Sequence, residues 1–186
     1  MNVVIRERKL EDCRKIQEII TKSWQDTYRG IINDNYLDEL SNNEESRIKS
    51  FMKDFDFDDN PYLVLEVDGE VVGFVRYSEA DDDRYSSYGE ITALYILDDY
   101  KGYGYGKSLF LSAVEKLVDN DFDKMIIGCL DGNKSNYFYQ HMHGILDSTR
   151  IFSRGGEELI ENVYVFENIK GLLVDSGKIS VRNLRK

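Results

Sequence analysis

The spacing of apolar positions changes several times along the chain, and each change marks an element. Val3, Val4 and Ile5 open a short strand. Leu10, Cys13, Ile16, Ile19 and Ile20 then recur at helical spacing and predict an amphipathic helix to about Trp24. From Asp34 to Phe55 a further helical stripe runs through Tyr36, Leu37 and Leu40, then Ile48, Phe51 and Met52. A charged turn follows, with Asp54, Asp56, Asp58, Asp59 and Asn60 leading to the only proline, Pro61. Tyr62 to Val67 and Val71 to Tyr77 form a hairpin around Asp68-Gly69, a favoured tight-turn pair. The polar loop Glu79 to Ser87 leads into a strand from Tyr88 to Leu97. After a glycine-rich loop comes a helix from about Gly106 to Asp119, then a strand from Lys124 to Leu130 and a short aromatic helix from Ser135 to Met142. Strands near Ile145 to Phe152 and Leu159 to Phe166 close the pattern around Ser153-Arg154-Gly155-Gly156. Hairpin strands followed by strand-helix-strand-helix-strand predict one α+β domain, a mixed sheet with helices on both faces. That domain spans residues 1–170, and the tail 171–186 stays unassigned.

Composition narrows the function. With 186 residues, 41% of them apolar, the chain can bury a core without staples. Its N-terminus turns polar at Arg6, and no apolar run approaches the roughly 20 residues of a membrane span, so a cytoplasmic protein is expected. Cys13 and Cys129 lie too far apart in sequence for paired-ligand spacing and read as reduced, buried thiols. His141 and His143 are the only histidines and read as surface or cap residues, so no metal is expected. A net charge of -11 argues against nucleic acid and anionic membranes as partners. An acidic surface would suit a cationic amine.

The run Leu97 to Ser108 carries the chemistry. Glycines between a strand and a helix let backbone N–H groups approach an anion. A Walker A loop would need glycine at position 101, where Lys101 stands. A dinucleotide fingerprint starting at Gly102 or Gly104 would need glycine at Lys107 or Leu109. Both fail on spacing.

The spacing Lys101-x-x-Gly104-x-Gly106 instead resembles the pyrophosphate loop of the GNAT acetyltransferase superfamily, with lysine in the place of the usual Gln or Arg. Three further stretches resemble the family in order: Ser23 to Gly30 its acceptor-side loop, Gly89 to Ile96 its central strand, and Asn133 to Gln140 its second signature. Order and spacing agree from about residue 2 to 167. The resemblance implies the GNAT fold, a central, mostly antiparallel sheet flanked by helices. It also implies an acetyl-coenzyme A-dependent N-acetyltransferase.

Carried over residue by residue, Lys101, Gly102, Tyr103, Gly104, Tyr105, Gly106 and Lys107 would hold the pyrophosphate. Backbone groups of Leu94, Tyr95 and Ile96 would pair with the pantetheine arm, the Leu94 N–H polarising the thioester carbonyl, and Asn133 would bond the same arm. As a helix N-cap, Asn133 would look the same in sequence. Glu90 is the candidate base, placed by period-two alternation on one face with Thr92 and Leu94; it reads equally as a solvated strand-end glutamate. Tyr139 is the candidate acid for the departing thiolate, or a core aromatic. Trp24, Tyr28 and Arg29 would line the acceptor pocket, with Trp24 also a core candidate. The acidic run Asp81, Asp82 and Asp83 reads as a solvated loop.

The leading function is acetyl transfer by direct attack, in a ternary complex, of a small-molecule primary amine of polyamine, amino sugar or amino acid type. The alternatives are a protein or peptide N-terminal or lysine acetyltransferase and a non-catalytic acyl-coenzyme A-binding sensor or interaction domain. Aromatic edges and the unplaced tail make a homodimer an open possibility.

Overall fold

The structure, a computed structural model, describes residues 2–55 and 61–178. Its strands are β1 (Val3–Glu7), β2 (Tyr62–Val67), β3 (Glu70–Glu79), β4 (Gly89–Ile96), β5 (Met125–Leu130), β6 (Ile145–Arg154) and β7 (Glu157–Phe166). They form a seven-stranded sheet in the order β1-β2-β3-β4-β5-β7-β6. Every neighbouring pair is antiparallel except β4 and β5. That parallel pair needs a crossover, supplied by α4 (Tyr105–Asp119).

Helices cover both faces. Under α4 and α6 (Ile169–Asp175) lies the main core, where Leu109, Phe110, Val114 and Leu117 meet Val75, Ile91, Met125 and Ile127. On the other face α1 (Asp12–Tyr28) buries Ile16 and Ile19 against Val64 and Phe74. Beside it, α2 (Asp34–Asn42) packs Leu37 and Leu40 against Tyr28 and Leu130. The arrangement is the mixed α+β sheet that the periodicities predict, mostly antiparallel as the family resemblance implies. The β2–β3 turn is also as expected, with positive φ at Asp68 and Gly69.

Three expectations change. The helix expected over Asp34 to Phe55 is two, because Asn43 leaves helical geometry (φ -100, ψ 5) before α3 (Glu44–Lys53) begins. An asparagine side chain competes with the helical backbone and favours such a break. Leu10 precedes α1 and is exposed rather than part of its apolar stripe. At the other end α6 runs across residue 170 and buries Ile169 and Leu173, so the packed body extends into the segment taken as a tail. The stretch Asp56 to Asn60, expected as a charged turn, and residues 179–186 lie outside the described residues. No helix among the described residues is long and apolar enough to cross a membrane.

Candidate active site

The site begins with a defect in β4. Arg76 faces Ala93 across the β3–β4 ladder, but the next pair is Tyr77 and Ile91, which leaves Thr92 as an extra residue. Such a bulge bends a strand and ends its pairing on one side. Here β4 and β5 pair only over Gly89–Met125, Glu90–Ile126 and Ile91–Ile127, although β4 continues to Ile96 and β5 to Leu130. Beyond the bulge the two strands part. The Leu97 N–H donates to Val72 O on β3 at 3.0 Å. By alternation, the backbone N–H and C=O groups of Leu94 and Ile96 therefore face the gap, where no strand meets them.

A cleft of about 680 Å³ occupies this gap, lined by Leu94, Tyr95 and Ile96 on one side and Gly128, Cys129 and Leu130 on the other. One mouth is the glycine loop. Gly102 and Gly104 have φ of 83° and 81°, which side-chain-bearing residues rarely adopt. Gly104 caps α4 without a side-chain bond, and the first intrahelical bond runs from Ser108 N–H to Gly104 O. The N–H groups of Gly106 and Lys107 precede it in the first turn and point toward an anion at the positive end of the helix. Lys101, Gly102, Gly104, Gly106 and Lys107 line the cleft. Tyr103 and Tyr105, assigned to the loop from sequence, do not line it: they stack on one another 5.7 Å apart, with Tyr103 66% exposed. Lys101 also pairs with Asp98.

Midway along the gap, Tyr139 of α5 (Ser135–His141) is buried and lines the cleft. Burial holds its hydroxyl well above the ordinary tyrosine value, so it stays protonated at neutral pH. Burial likewise pushes the neighbouring Cys129 thiol up to about 12, with the Glu161 charge adding to the effect. Asn133 also lines the cleft; it stands one residue before Lys134, the N-cap of α5, its Oδ1 accepts from Ser135 N–H at 2.9 Å and its Nδ2 reaches the Tyr28 hydroxyl at 3.5 Å.

On the opposite face of the sheet, Trp24, Tyr28, Tyr36, Leu40 and Phe152 wall the cleft. Trp24 and Tyr28 meet edge to face at 5.1 Å. Burial raises the Tyr95 hydroxyl, partly offset by Tyr28 and Trp24 beside it. Arg29 is elsewhere. It is exposed on the surface, paired with Asp38 at 2.5 Å and Asp34 at 3.4 Å, because the chain leaves helical geometry right after Tyr28.

Glu90 also departs from expectation. The extra residue at Thr92 breaks the alternation, so Leu94 packs with Ile91 toward α4 while Ala93 and Tyr95 face α1. Glu90 is buried, outside the cleft lining, and accepts from Arg150 Nη2 at 2.7 Å. Arg150 Nε in turn bonds Glu161, and Glu161 does line the cleft. Burial raises the Glu90 carboxyl, opposed by Arg150.

Arg47, Arg76, Arg154 and Glu161 line the cleft and were not anticipated. Arg76 offered a signal: a charge inside the apolar strand Val71 to Tyr77, on the face of Phe74, is rarely left there without a task. His141 and His143 are exposed at the end of α5, as expected.

A strand gap with unpaired backbone, ending at an uncapped helix N-terminus, defines a site for a long amide-bearing ligand with an anionic end. Residues 16–145 match the model of the Acetyltransferase (GNAT) family, and the chain belongs to that family. It is 30% identical over 139 residues to the uncharacterised N-acetyltransferase YuaI of Bacillus subtilis (strain 168), covering 74% of this chain and 78% of that protein. Its fold is similar to the PaiA N-acetyltransferase of Thermoplasma acidophilum, solved in complex with coenzyme A (TM-score 0.64, 19% identity, 87% of this chain and 98% of that one). It is also similar to YncA of Salmonella typhimurium, solved with its cofactor acetyl-CoA (TM-score 0.63, 17% identity, 89% of this chain and 94% of that one).

Proposed function

We propose that the protein transfers the acetyl group of acetyl-CoA to the primary amine of a small molecule by direct attack within a ternary complex. The observation that carries this reading is the parted β4–β5 gap joined to the uncapped start of α4. Acetyl-CoA fits those features: a pantetheine arm has amides to pair with the Leu94 and Ile96 backbone, and a pyrophosphate suits Lys101, Lys107 and the N–H groups of Gly106 and Lys107. The complexes of PaiA with coenzyme A and of YncA with acetyl-CoA support the same ligand.

When bound, acetyl-CoA supplies an activated acyl group as a thioester. The Leu94 N–H polarises its carbonyl and stabilises the charge that develops on oxygen, a donor of the kind worth ~10²–10³ in rate. A C–N bond forms to the amine as the C–S bond breaks. Glu161, facing the cleft, receives the amine proton directly or through water, with Glu90 behind it across Arg150. Tyr139 returns a proton to the departing sulfur. Burial raises the tyrosine, and the same burial raises the Cys129 thiol beside it to about 12, so this environment also strengthens a departing thiolate as a base.

Direct attack is favoured over a covalent relay because Cys129 is a poor nucleophile. At about 12, roughly one molecule in 10⁵ carries the thiolate at pH 7. The aromatic wall of Trp24, Tyr36 and Phe152 favours a small acceptor over a protein segment. Initial rates with acetyl-CoA and amine both varied test the reading: intersecting lines support a ternary complex. Parallel lines, or no amine-dependent thiol release, would defeat it.

A further inference from the structure

The charge inside the cleft is opposite to that of the protein. The chain carries a net -11, yet the charged side chains lining the cleft are Arg47, Arg76, Lys101, Lys107, Arg154 and a lone carboxylate, Glu161, already held by Arg150. Lys101 and Lys107 belong to the loop at the start of α4. Arg76 lies across the sheet from it, sharing the face of Phe74 that packs against α1. Its guanidinium sits 5.7 Å from the Tyr62 ring, and Tyr62 packs on Phe51 of α3 at 5.5 Å. Arg47 lies one turn before Phe51, on the same helix face. The two arginines therefore line the cleft on the α1 side of the sheet, with Trp24 and Tyr28, whereas α4 and the loop that opens it pack on the other side.

Neither is neutralised. Among the described residues, Arg47 and Arg76 have no ion-pair partner within 4 Å, although Glu44 contributes to the field at Arg47, whose Nη2 bonds only the Thr21 hydroxyl. Arg47 Nε, Arg76 Nε and Ser23 Oγ are buried without a hydrogen-bond partner, and all three side chains line the cleft. Half-buried guanidinium groups with idle donors weaken a fold unless a ligand completes them. The planar donor fork matches the oxygens of a carboxylate or phosphate.

We propose that Arg47 and Arg76, with Ser23 beside them, bind an oxyanion carried by the acceptor, so that the substrate is a small primary amine bearing a carboxylate or phosphate. Arg76 stands opposite Ala93, next to the Leu94 N–H at the reacting carbonyl, so one small molecule spans both ends. The inference rests on the acetyltransferase reading and narrows it: cationic polyamines are excluded by the charge they would meet.

The test compares matched amines with the full-length protein and acetyl-CoA: an amino acid panel against the corresponding carboxamides, phosphoethanolamine against ethanolamine, and spermidine. The anionic member of at least one pair should have a kcat/KM about 100-fold higher, and the better pair tells carboxylate from phosphate. Arg76→Gln and Arg47→Gln should each remove about 10- to 100-fold on that member alone, the worth of a charge-assisted hydrogen bond, with acetyl-CoA binding unchanged. Arg76→Lys should restore part of it. Neutral or cationic amines turned over as well as anionic ones, or a preference surviving both substitutions, would overturn the proposal. Thermal unfolding with each amine alone separates the two readings. Stabilisation by anionic members, lost in Arg76→Gln, upholds the anion site even if no amine is acetylated; no stabilisation and no turnover overturns it with the enzyme.

Discussion

Arg150 on β6 donates through Nη2 to Glu90 Oε1 on β4 at 2.7 Å, reaching across both β7 and β5. On the way its Nε bonds Glu161 of β7. One guanidinium thus ties the two carboxylates of this face to the far edge of the sheet, beside the point where β4 and β5 part. Its side chain is about a quarter exposed, while those of Glu90 and Glu161 are nearly buried.

Removing that cation leaves two buried carboxylates unpaired. Arg150→Met should cost about 3 kcal/mol or more at pH 7, within the range for breaking a buried pair. The pH dependence has a definite sign. Burial already holds the folded-state carboxyl of Glu90 above its ordinary 4.5, and loss of Arg150 raises it further. A raised carboxyl favours the folded state while protonated and loses that contribution as pH rises through the folded value. The deficit of Arg150→Met against the parent should therefore shrink as unfolding is measured from pH 7 down to pH 5. A deficit that is flat with pH would contradict the role given to Glu90.

Glu161, as the carboxylate facing the cleft, should matter more to turnover than Glu90. Glu161→Gln is expected to lower kcat by ~10²-fold or more, in the range of general base catalysis. Glu90→Gln should cost less. The comparison is made on kcat above the ionisation of the amine substrate, and the reverse order would return the base role to Glu90.

Tyr139→Phe keeps the ring packing against Phe138 and Tyr164 and deletes only the hydroxyl. It should lower kcat by ~10²-fold with the acetyl-CoA dissociation constant unchanged. Calorimetric titration beside steady-state rates separates the two, and an unchanged kcat would reduce Tyr139 to a packing residue.

Cys129→Ala should retain turnover within a few-fold, since a thiol held at about 12 carries no covalent step. Loss of activity accompanied by an acetylated enzyme in the mass spectrum of the parent would establish the relay instead.

Much of this was legible in the sequence because period and turn chemistry agree. The Asp68-Gly69 hairpin, the glycine spacing from Lys101 to Gly106 and the aromatic helix around Tyr139 each bear a local signature. What the sequence hid was tertiary or irregular. The bulge at Thr92 leaves no trace in composition, yet it changes which β4 side chains share a face, setting Glu90 apart from Leu94, and the pairing of Glu90 with Arg150 is a contact made only in the assembled sheet. Arg29 adjoins Trp24 and Tyr28 in sequence, but the end of α1 turns it toward Asp34 and Asp38. Arg47, Arg76 and Glu161 come from α3, β3 and β7 and share the cleft only once the sheet is assembled. The helix Ile169–Asp175 is too short to show a period in sequence, and its two anchors, Ile169 and Leu173, gain meaning only against the core they enter.

The most direct measurement of the central claim is thermal unfolding of the full-length protein with and without saturating acetyl-CoA, repeated for Gly104→Val. At ~100 times the dissociation constant the ligand should add about 2.7 kcal/mol, a rise of about 5–10 °C for a chain of this size. Gly104→Val places a β-branched residue at a φ of 81° in the anion loop and should abolish most of that rise, while unfolding cooperatively without ligand. A folded parent whose midpoint does not move with acetyl-CoA would contradict the assignment of the β4–β5 gap, and the proposed reaction with it.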